Sequence, residues 1–277
     1  MSVLHAIVLG IVQGLTEFLP ISSSGHLILV PELLEWKELT NDPDLNRTFD
    51  VALHLGTLAG ALWYFRRDVG RYLAAAVHSI RARSVSTVDA RIAWLLLLSA
   101  VPGAVVGAAI GSTVDDELGD PILIGAMLIV FAFVLLWADR LAGTRTSETF
   151  RRRDALLMGI AQAVALQPGV SRSGVTISAG RKLGFDREAA TRLSFLMSLP
   201  IIAGAAVFEG AEVAVDGGIP SDAVEAFAWG IVASAISGWI AISWLLRLLR
   251  TRSFTPFVIY RLVVGVAVIV VFATGIR

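Results

Sequence analysis

Residues 10–26 read GIVQGLTEFLPISSSGH, and residues 159–175 read GIAQAVALQPGVSRSGV. At a fixed offset of 149 residues, Gly10, Ile11 and Gln13 fall on Gly159, Ile160 and Gln162, while Ser22, Ser24 and Gly25 fall on Ser171, Ser173 and Gly174. Both stretches are polar, Gly- and Ser-rich interruptions of an otherwise oily chain. A polar break that occurs twice points to one site assembled from two half-sites. The fold follows from where those breaks lie.

The chain has 277 residues, 56% of them hydrophobic and 17% charged, with a mean hydropathy of +0.74. A soluble domain carries roughly 25% charged residues. Runs 92–110, 121–138, 227–246 and 256–274 each approach the ~20 helical residues that cross ~30 Å of hydrocarbon. They lack the alternation a closed barrel needs. The expectation is an all-α integral membrane protein. Glu17 is the first charged residue, so the basic region of a cleaved leader is not evident and the first hydrophobic stretch is expected to stay in the mature chain. The absence of cysteine excludes disulfides and thiolate chemistry. A net charge of zero argues against nucleic acid as a partner. No Walker-type loop is present, which argues against ATP-driven pumping.

The loops alternate in sign. Arg66, Arg67, Arg71, Arg81, Arg83 and Arg91 dominate 66–91, and Arg140, Arg145 and Arg151 to Arg153 dominate 139–154. Arg247, Arg250 and Arg252 follow at 247–252, whereas 113–120 and 209–225 hold acids and no base. The positive-inside rule makes the Arg-rich loops cytoplasmic. Six full spans are expected, at about 49–65, 92–112, 121–138, 189–208, 226–246 and 256–275. Segments 2–38 and 155–186 remain, each with two apolar pieces too short to cross alone. We read them as re-entrant helical hairpins, since irregular backbone at membrane depth needs cover from protein or a water-filled cavity. Three spans separate them, so they enter from opposite faces, the first from outside beside the acid-rich 32–44 flank and the second from the cytoplasm beside Arg181, Lys182 and Arg187. LGTLAG at 55–60 and LPIIAG at 199–204 echo the duplication. The result is one polytopic membrane domain over 1–277, an inverted repeat with halves of about 1–138 and 155–277 joined by a cytoplasmic loop at 139–154. Such repeats place a site near the midplane where the breaks meet. Plain loops between eight or more spans are the alternative.

An ionisable group at membrane depth is a functional candidate by default. Glu17 is one, with Gln13 four residues earlier on the same helical face, an oxygen pair suited to a hard cation or to proton handling. Ser22, Ser23 and Ser24 follow the helix-breaking Pro20 and precede Gly25 and His26. They read as an anion cradle at a helix N-terminus, the plainer alternative being a helix cap. His26 suits acid–base work and a neighbouring serine could be a nucleophile. In the second break Arg172 stands between Ser171 and Ser173, before Gly174, and its planar fork suits bidentate phosphate binding. A purely structural salt bridge to Glu17 is the alternative. Gathered around one pocket, these groups suit phosphoryl chemistry. His54 reads as a helix-packing residue that could approach the pocket, and Arg192 as a supporting one. Ionisable groups otherwise concentrate in the hairpins rather than in the full spans.

QGLTEFLPISSSGH at 13–26, FDVALHLGTLAG at 49–60 and PGVSRSG at 168–174 closely resemble the undecaprenyl-pyrophosphate phosphatase family linked to bacitracin resistance. The resemblance runs over essentially the whole chain. It implies an integral enzyme of the cell membrane that hydrolyses the C55 isoprenyl pyrophosphate to the monophosphate and inorganic phosphate, with its site facing outward. Also implied are a role in recycling the carrier for peptidoglycan and other envelope polymers and dependence on a divalent cation, Mg2+ or Ca2+, without an organic cofactor. Glu17 matches the essential glutamate of the family's glutamate-rich motif, while Gln13 stands where many members have a second glutamate. Ser23 and His26 match residues assigned nucleophilic or acid–base roles, and Arg172 with Ser171 and Ser173 matches the pyrophosphate-binding motif. Ser22, Ser24, Gly25 and Gly174 complete the expected pyrophosphate contacts, and Glu17 with Gln13 the expected cation contacts.

On this reading Ser23, or a water, is activated by His26 and attacks the terminal phosphorus while the prenyl tail lies among membrane lipids. The rival from another class is a secondary transporter or polyprenyl-phosphate flippase with a midplane anion site. Assembly is left open, a homodimer included.

Overall fold

The computed structural model describes residues 1–215 and 218–275, with side chains throughout except at 40, 110–117, 212 and 214. Among these the chain forms α1 (Val3–Phe18), α2 (Ser23–Leu33), α3 (Lys37–Thr40), α4 (Pro43–Tyr64), α5 (Arg66–Arg81), α6 (Val88–Glu117) and α7 (Pro121–Arg140). After a 3₁₀ turn (Ser147–Thr149) come α8 (Arg152–Val164), α9 (Arg172–Lys182), α10 (Arg187–Val215), α11 (Val224–Leu248) and α12 (Thr255–Thr274). No strand occurs among the described residues.

Local chemistry sets the boundaries. Asp42 and Asp120 cap α4 and α7, each accepting from the backbone N–H three residues on, at 3.0 and 2.9 Å, and a proline follows each cap. Asp186 does the same for α10, accepting from Ala189 N–H at 2.7 Å. Gly275, at φ 64°, stops α12.

Among the described residues five helices are long and apolar enough to cross a membrane: those over 88–109, 121–140, 187–211, 224–248 and 255–274. The chain is thus a multi-pass membrane protein by its helices. The sixth expected span, 49–65, lies in α4, which has the length at 22 residues but carries Asp44, Arg47, Asp50 and His54 and falls outside the apolar set. Segments 2–38 and 155–186 are interrupted as expected, α1 and α2 parting at 19–22 and α8 and α9 at 165–171.

Two connections differ from expectation. The Arg-rich stretch after residue 65 is largely the helix α5, which buries only Tyr72 and Ser79 and leaves Leu73, Val77 and Ile80 exposed along one stripe. A narrow apolar stripe among arginines is an interfacial amphipathic pattern, and average hydropathy hides it. The expected acid turn at 113–120 is shorter, because α6 continues to Glu117. The side chains of Asp115, Asp116 and Glu117 lie outside the described residues, as does Asp216 of the 209–225 loop.

Small residues govern how the helices meet. α1 and α4 both pack on α11, α8 packs on α6, and α7 packs on α12. Lipid tails are as apolar as leucine, so membrane helices gain by close backbone approach rather than by hiding from water. Gly10 sits against the Gly230 carbonyl of α11, and its repeat counterpart Gly159 against the Ser99 carbonyl of α6. At Gly14 an added methyl would overlap Ser237 Oγ and the Ser234 carbonyl. Gly14→Ala is therefore expected to lower stability by about 1–3 kcal/mol. Gly70→Ala on the open face of α5, where nothing lies within 4 Å, should be neutral or stabilising. Thermal unfolding of both variants in detergent checks this, and equal midpoints would contradict the packing.

Candidate active site

The two breaks carry the same local geometry. Ser22 at φ 77° and ψ 99° caps α2, its Oγ accepting from Gly25 N–H at 3.4 Å. Ser171 at φ 74° and ψ 109° caps α9, its Oγ accepting from Gly174 N–H at 3.1 Å. A non-glycine residue at such φ is uncommon and costs of order 1–3 kcal/mol, and residues held this way cluster at functional sites. The caps aim two helix N-termini, with their partial positive charge, toward the middle of the molecule. Gly25 and Gly174 permit the first turns to close, with a methyl at either meeting its own cap serine at 3.2–3.3 Å.

The breaks touch each other. Gly169 N–H donates to Ser22 Oγ at 3.0 Å, and Ser173 Oγ donates to the Leu19 carbonyl at 3.0 Å. Gly169 itself, at φ 91°, has no room for a side chain beside the Ile124 carbonyl and Met127. Arg172 Nη2 donates to Glu17 Oε1 at 2.8 Å, joining the two motifs. Glu17 is 5% exposed. Its other oxygen, Oε2, accepts from Ser23 Oγ at 2.5 Å and from Gln13 Nε2 at 3.3 Å. The Glu17–Arg172 salt bridge is present, yet it does not use up the cluster. Arg172 Nη1 and Gln13 Oε1 are buried without a hydrogen-bond partner. Buried polar atoms are normally satisfied, so orphans converging on one carboxylate suit a polar ligand.

His26 departs from expectation. Its Nδ1 lies 2.6 Å from the Ser22 carbonyl, which only accepts, so Nδ1 carries the proton and Nε2 accepts from the Tyr260 hydroxyl at 2.7 Å. The two rings stack at 5.7 Å. Ser23 is therefore bonded to Glu17 rather than to His26, because α2 turns the imidazole toward α12. Ser24 is half-buried, with Oγ 3.5 Å from Ser22 Oγ. Ser171 and Ser173 share a hydroxyl contact at 3.2 Å. Gln162, the counterpart of Gln13, faces Gly103 of α6 instead of the site. Arg192 is held away by Asp68, at 2.5 Å, and by the Phe65 ring. His54 comes closer than a packing residue would, Nε2 lying 3.7 Å from Glu17 Oε2.

One residue escaped the sequence reading. Arg261 of α12 is fully buried and every partner given to it is a main-chain carbonyl. It donates to Pro20 of the first break at 3.1 Å, to Gly169 and Val170 of the second at 2.8 and 3.1 Å, and to Leu128 of α7 at 3.1 Å. A guanidinium has five N–H donors and no acceptor, which suits a cluster of unpaired carbonyls in the two breaks beside the α7 backbone. The signal was available, since Arg261 is the sole charged residue of the 256–274 run. It corrects the expectation that membrane-depth charges stay in the hairpins. Arg172 and Arg261 together outweigh Glu17, leaving the centre positive and fit for a polyanion.

Arg261→Met would strand several buried carbonyls at once. A loss of about 3 kcal/mol or more is expected, and Arg261→Lys should recover only part of it because an ammonium cannot span both breaks. Denaturation of the detergent-solubilised variants measures this. Unchanged stability in both would remove Arg261 as the tie between the breaks.

Comparison with known proteins identifies the family of the whole chain. The family model described as "Bacitracin resistance protein BacA" matches residues 6–267. A protein from Pelobacter propionicus named undecaprenyl-diphosphatase is 47% identical, covering 100% of this chain and 99% of its own. Proteins of the same name from Pelotomaculum thermopropionicum and Nocardioides are 46% and 44% identical, each covering 99% of this chain and at least 97% of their own. With the match running through both breaks and into α12 as far as residue 267, the chain belongs to the BacA bacitracin resistance protein family.

Proposed function

We propose that this chain hydrolyses undecaprenyl pyrophosphate to undecaprenyl phosphate and inorganic phosphate, and so returns the lipid carrier to cell-envelope polymer synthesis. The observation that carries the reading is the meeting of the two breaks. It gathers a carboxylate, a hydroxyl and an unsatisfied guanidinium nitrogen in a buried, net-positive centre. The relatives' shared name supplies the substrate class.

Each residue has a task on this reading. Arg172 Nη1 and the N-termini of α2 and α9 hold the diphosphate and oppose the charge that grows on the bridging oxygen. Glu17 Oε2, 2.5 Å from Ser23 Oγ, takes the hydroxyl proton as Ser23 attacks the terminal phosphorus. The bond from that phosphorus to the bridging oxygen breaks, and undecaprenyl phosphate leaves. Water then cleaves the phosphoserine, its proton and that on Glu17 restoring the serine and releasing phosphate. His26, fixed by Ser22 and Tyr260, presents its ring beside the cradle as a proton group.

A divalent cation, Mg2+ or Ca2+, belongs to the same reading. Among the described residues no group of three or more His, Cys, Asp or Glu could cage an ion. The site offers one carboxylate and the unpartnered Gln13 Oε1. That set fits an ion bound through a single carboxylate together with substrate phosphates. Glu17 and Gln13 would hold it, and when bound it would supply charge neutralisation to the diphosphate.

The proposed topology is an inverted repeat of six spans and two re-entrant hairpins. The matched serine caps and the matched close approaches of Gly10 and Gly159 support it. At ~1.5 Å per residue, α1, α2, α8 and α9 are ~16–24 Å long, short of ~30 Å of hydrocarbon. α4 reaches ~33 Å, and it brings His54 beside Glu17. Arg-rich loops on the cytoplasmic side then open the site to the outer face.

Phosphate release from farnesyl or undecaprenyl pyrophosphate in detergent, without a gradient, tests the reading. Glu17→Gln, Ser23→Ala and Arg172→Ala are each expected to lower kcat at least about 100-fold, and His26→Ala to lower it as well. Near wild-type rates in any two of the first three would refute the assignment. Gradient-dependent lipid movement with no phosphate released would support a carrier instead.

A further inference from the structure

Glu17 divides its two oxygens between different surroundings. Oε1 is taken by Arg172, while Oε2 faces Ser23 Oγ at 2.5 Å, the Gln13 amide at 3.3 Å and His54 Nε2 at 3.7 Å. The histidine is the informative member. Its Nδ1 lies 2.8 Å from the Asp50 carbonyl one turn back on α4. A carbonyl only accepts, so Nδ1 carries a proton, and in the one neutral tautomer this allows the Nε2 lone pair is directed at the carboxylate. At 3.7 Å the contact is too long for a hydrogen bond, and in that tautomer two electron-rich atoms face each other.

We infer that His54 is a nitrogen ligand of the cation site, joining Glu17 and Gln13, and that it favours transition dications that accept imidazole over Ca2+, with Mn2+ as their paramagnetic probe. The inference rests on the cation reading above. Two ligands of one ion stand about 3–4 Å apart when each bond is about 2.1 Å, which brackets the observed separation. The bond from Nδ1–H to a backbone carbonyl is the usual outer-shell support of a metal-binding histidine, fixing both its tautomer and its plane. Gln13 Oε1, buried and unpartnered on the amide whose nitrogen meets Glu17 Oε2, adds a neutral oxygen. The side chain of His54 is 35% exposed, against 5% for Glu17, so the ring stands at the mouth of the site where diphosphate oxygens would meet the same ion. Ca2+ takes oxygen ligands, whereas imidazole suits transition dications.

The test is Mn2+ binding by the full-length protein in detergent, with and without methylenediphosphonate. It is followed by electron paramagnetic resonance and, with 15N-labelled histidine, by electron spin echo modulation. Wild type should show coupling to one imidazole nitrogen. His54→Gln should lose that coupling and bind Mn2+ at least about tenfold more weakly, with Ca2+ affinity changed less than about threefold. Glu17→Gln should abolish binding of both ions. Mn2+ bound with no nitrogen coupling in wild type, or coupling that survives in His54→Gln, overturns the role of His54 while leaving the cation site standing. Mn2+ affinity unaffected by Glu17→Gln overturns the cation reading itself. The wild-type spectrum requires no variant, so a misfolded substitution cannot mask the outcome.

Discussion

Two helices end inside a molecule built for hydrocarbon, and each ending leaves carbonyls without a helical partner. In water such groups would be hydrated. At membrane depth, where the proposed topology puts them, each costs several kcal/mol if left bare. Arg261 meets that demand for both breaks at once, bonding Pro20 on one side and Gly169 and Val170 on the other. The tie has a second effect. Its partners are neutral carbonyls, so the positive charge of the guanidinium is not cancelled where it sits. The feature that lets irregular backbone persist is thus also a source of the attraction for a polyanion, and the fold and the chemistry share one cause.

Around that tie the site is polarised. Glu17, Arg172 and Ser23 form its centre, with His26 and Tyr260 on the α12 side and His54 on the α4 side. Tyr260 is 40% exposed while His26 is 8% exposed, so the hydroxyl works inside the molecule as the ring faces outward. A prenyl chain needs no enclosed tunnel in such a protein, because the surrounding lipid is already its solvent. On the proposed reading only the diphosphate must be drawn inward, and the helix ends and the two arginines would provide the pull.

Much of this was legible in the sequence. The duplicated motif located both breaks, since glycine, proline and serine interrupt helices for stated reasons, and Ser22 and Ser171 occupy equivalent caps. The pairing of Glu17 with Arg172 was also within reach, because each membrane-depth charge asks for a partner. What escaped depended on which way helices turn. Whether Ser23 would bond Glu17 or His26 is decided by the rotation of α2, which spacing along the chain does not encode. Tyr260 looked like one aromatic among many, and Arg261 was passed over inside a strongly apolar run. α5 was hidden because its arginines outweigh the stripe of Leu73, Val77 and Ile80 in any average.

The central claim is that the two breaks meet at their tips. The chain contains no cysteine, so a pair introduced at Leu19 and Ser173, whose carbonyl and hydroxyl are 3.0 Å apart, reports on that meeting without background. A protease site placed in the 139–154 loop then separates the halves. The account predicts that mild oxidation holds the two fragments together on a denaturing gel and that reductant releases them. Fragments that part under oxidising conditions, with both thiols still reactive, would contradict it.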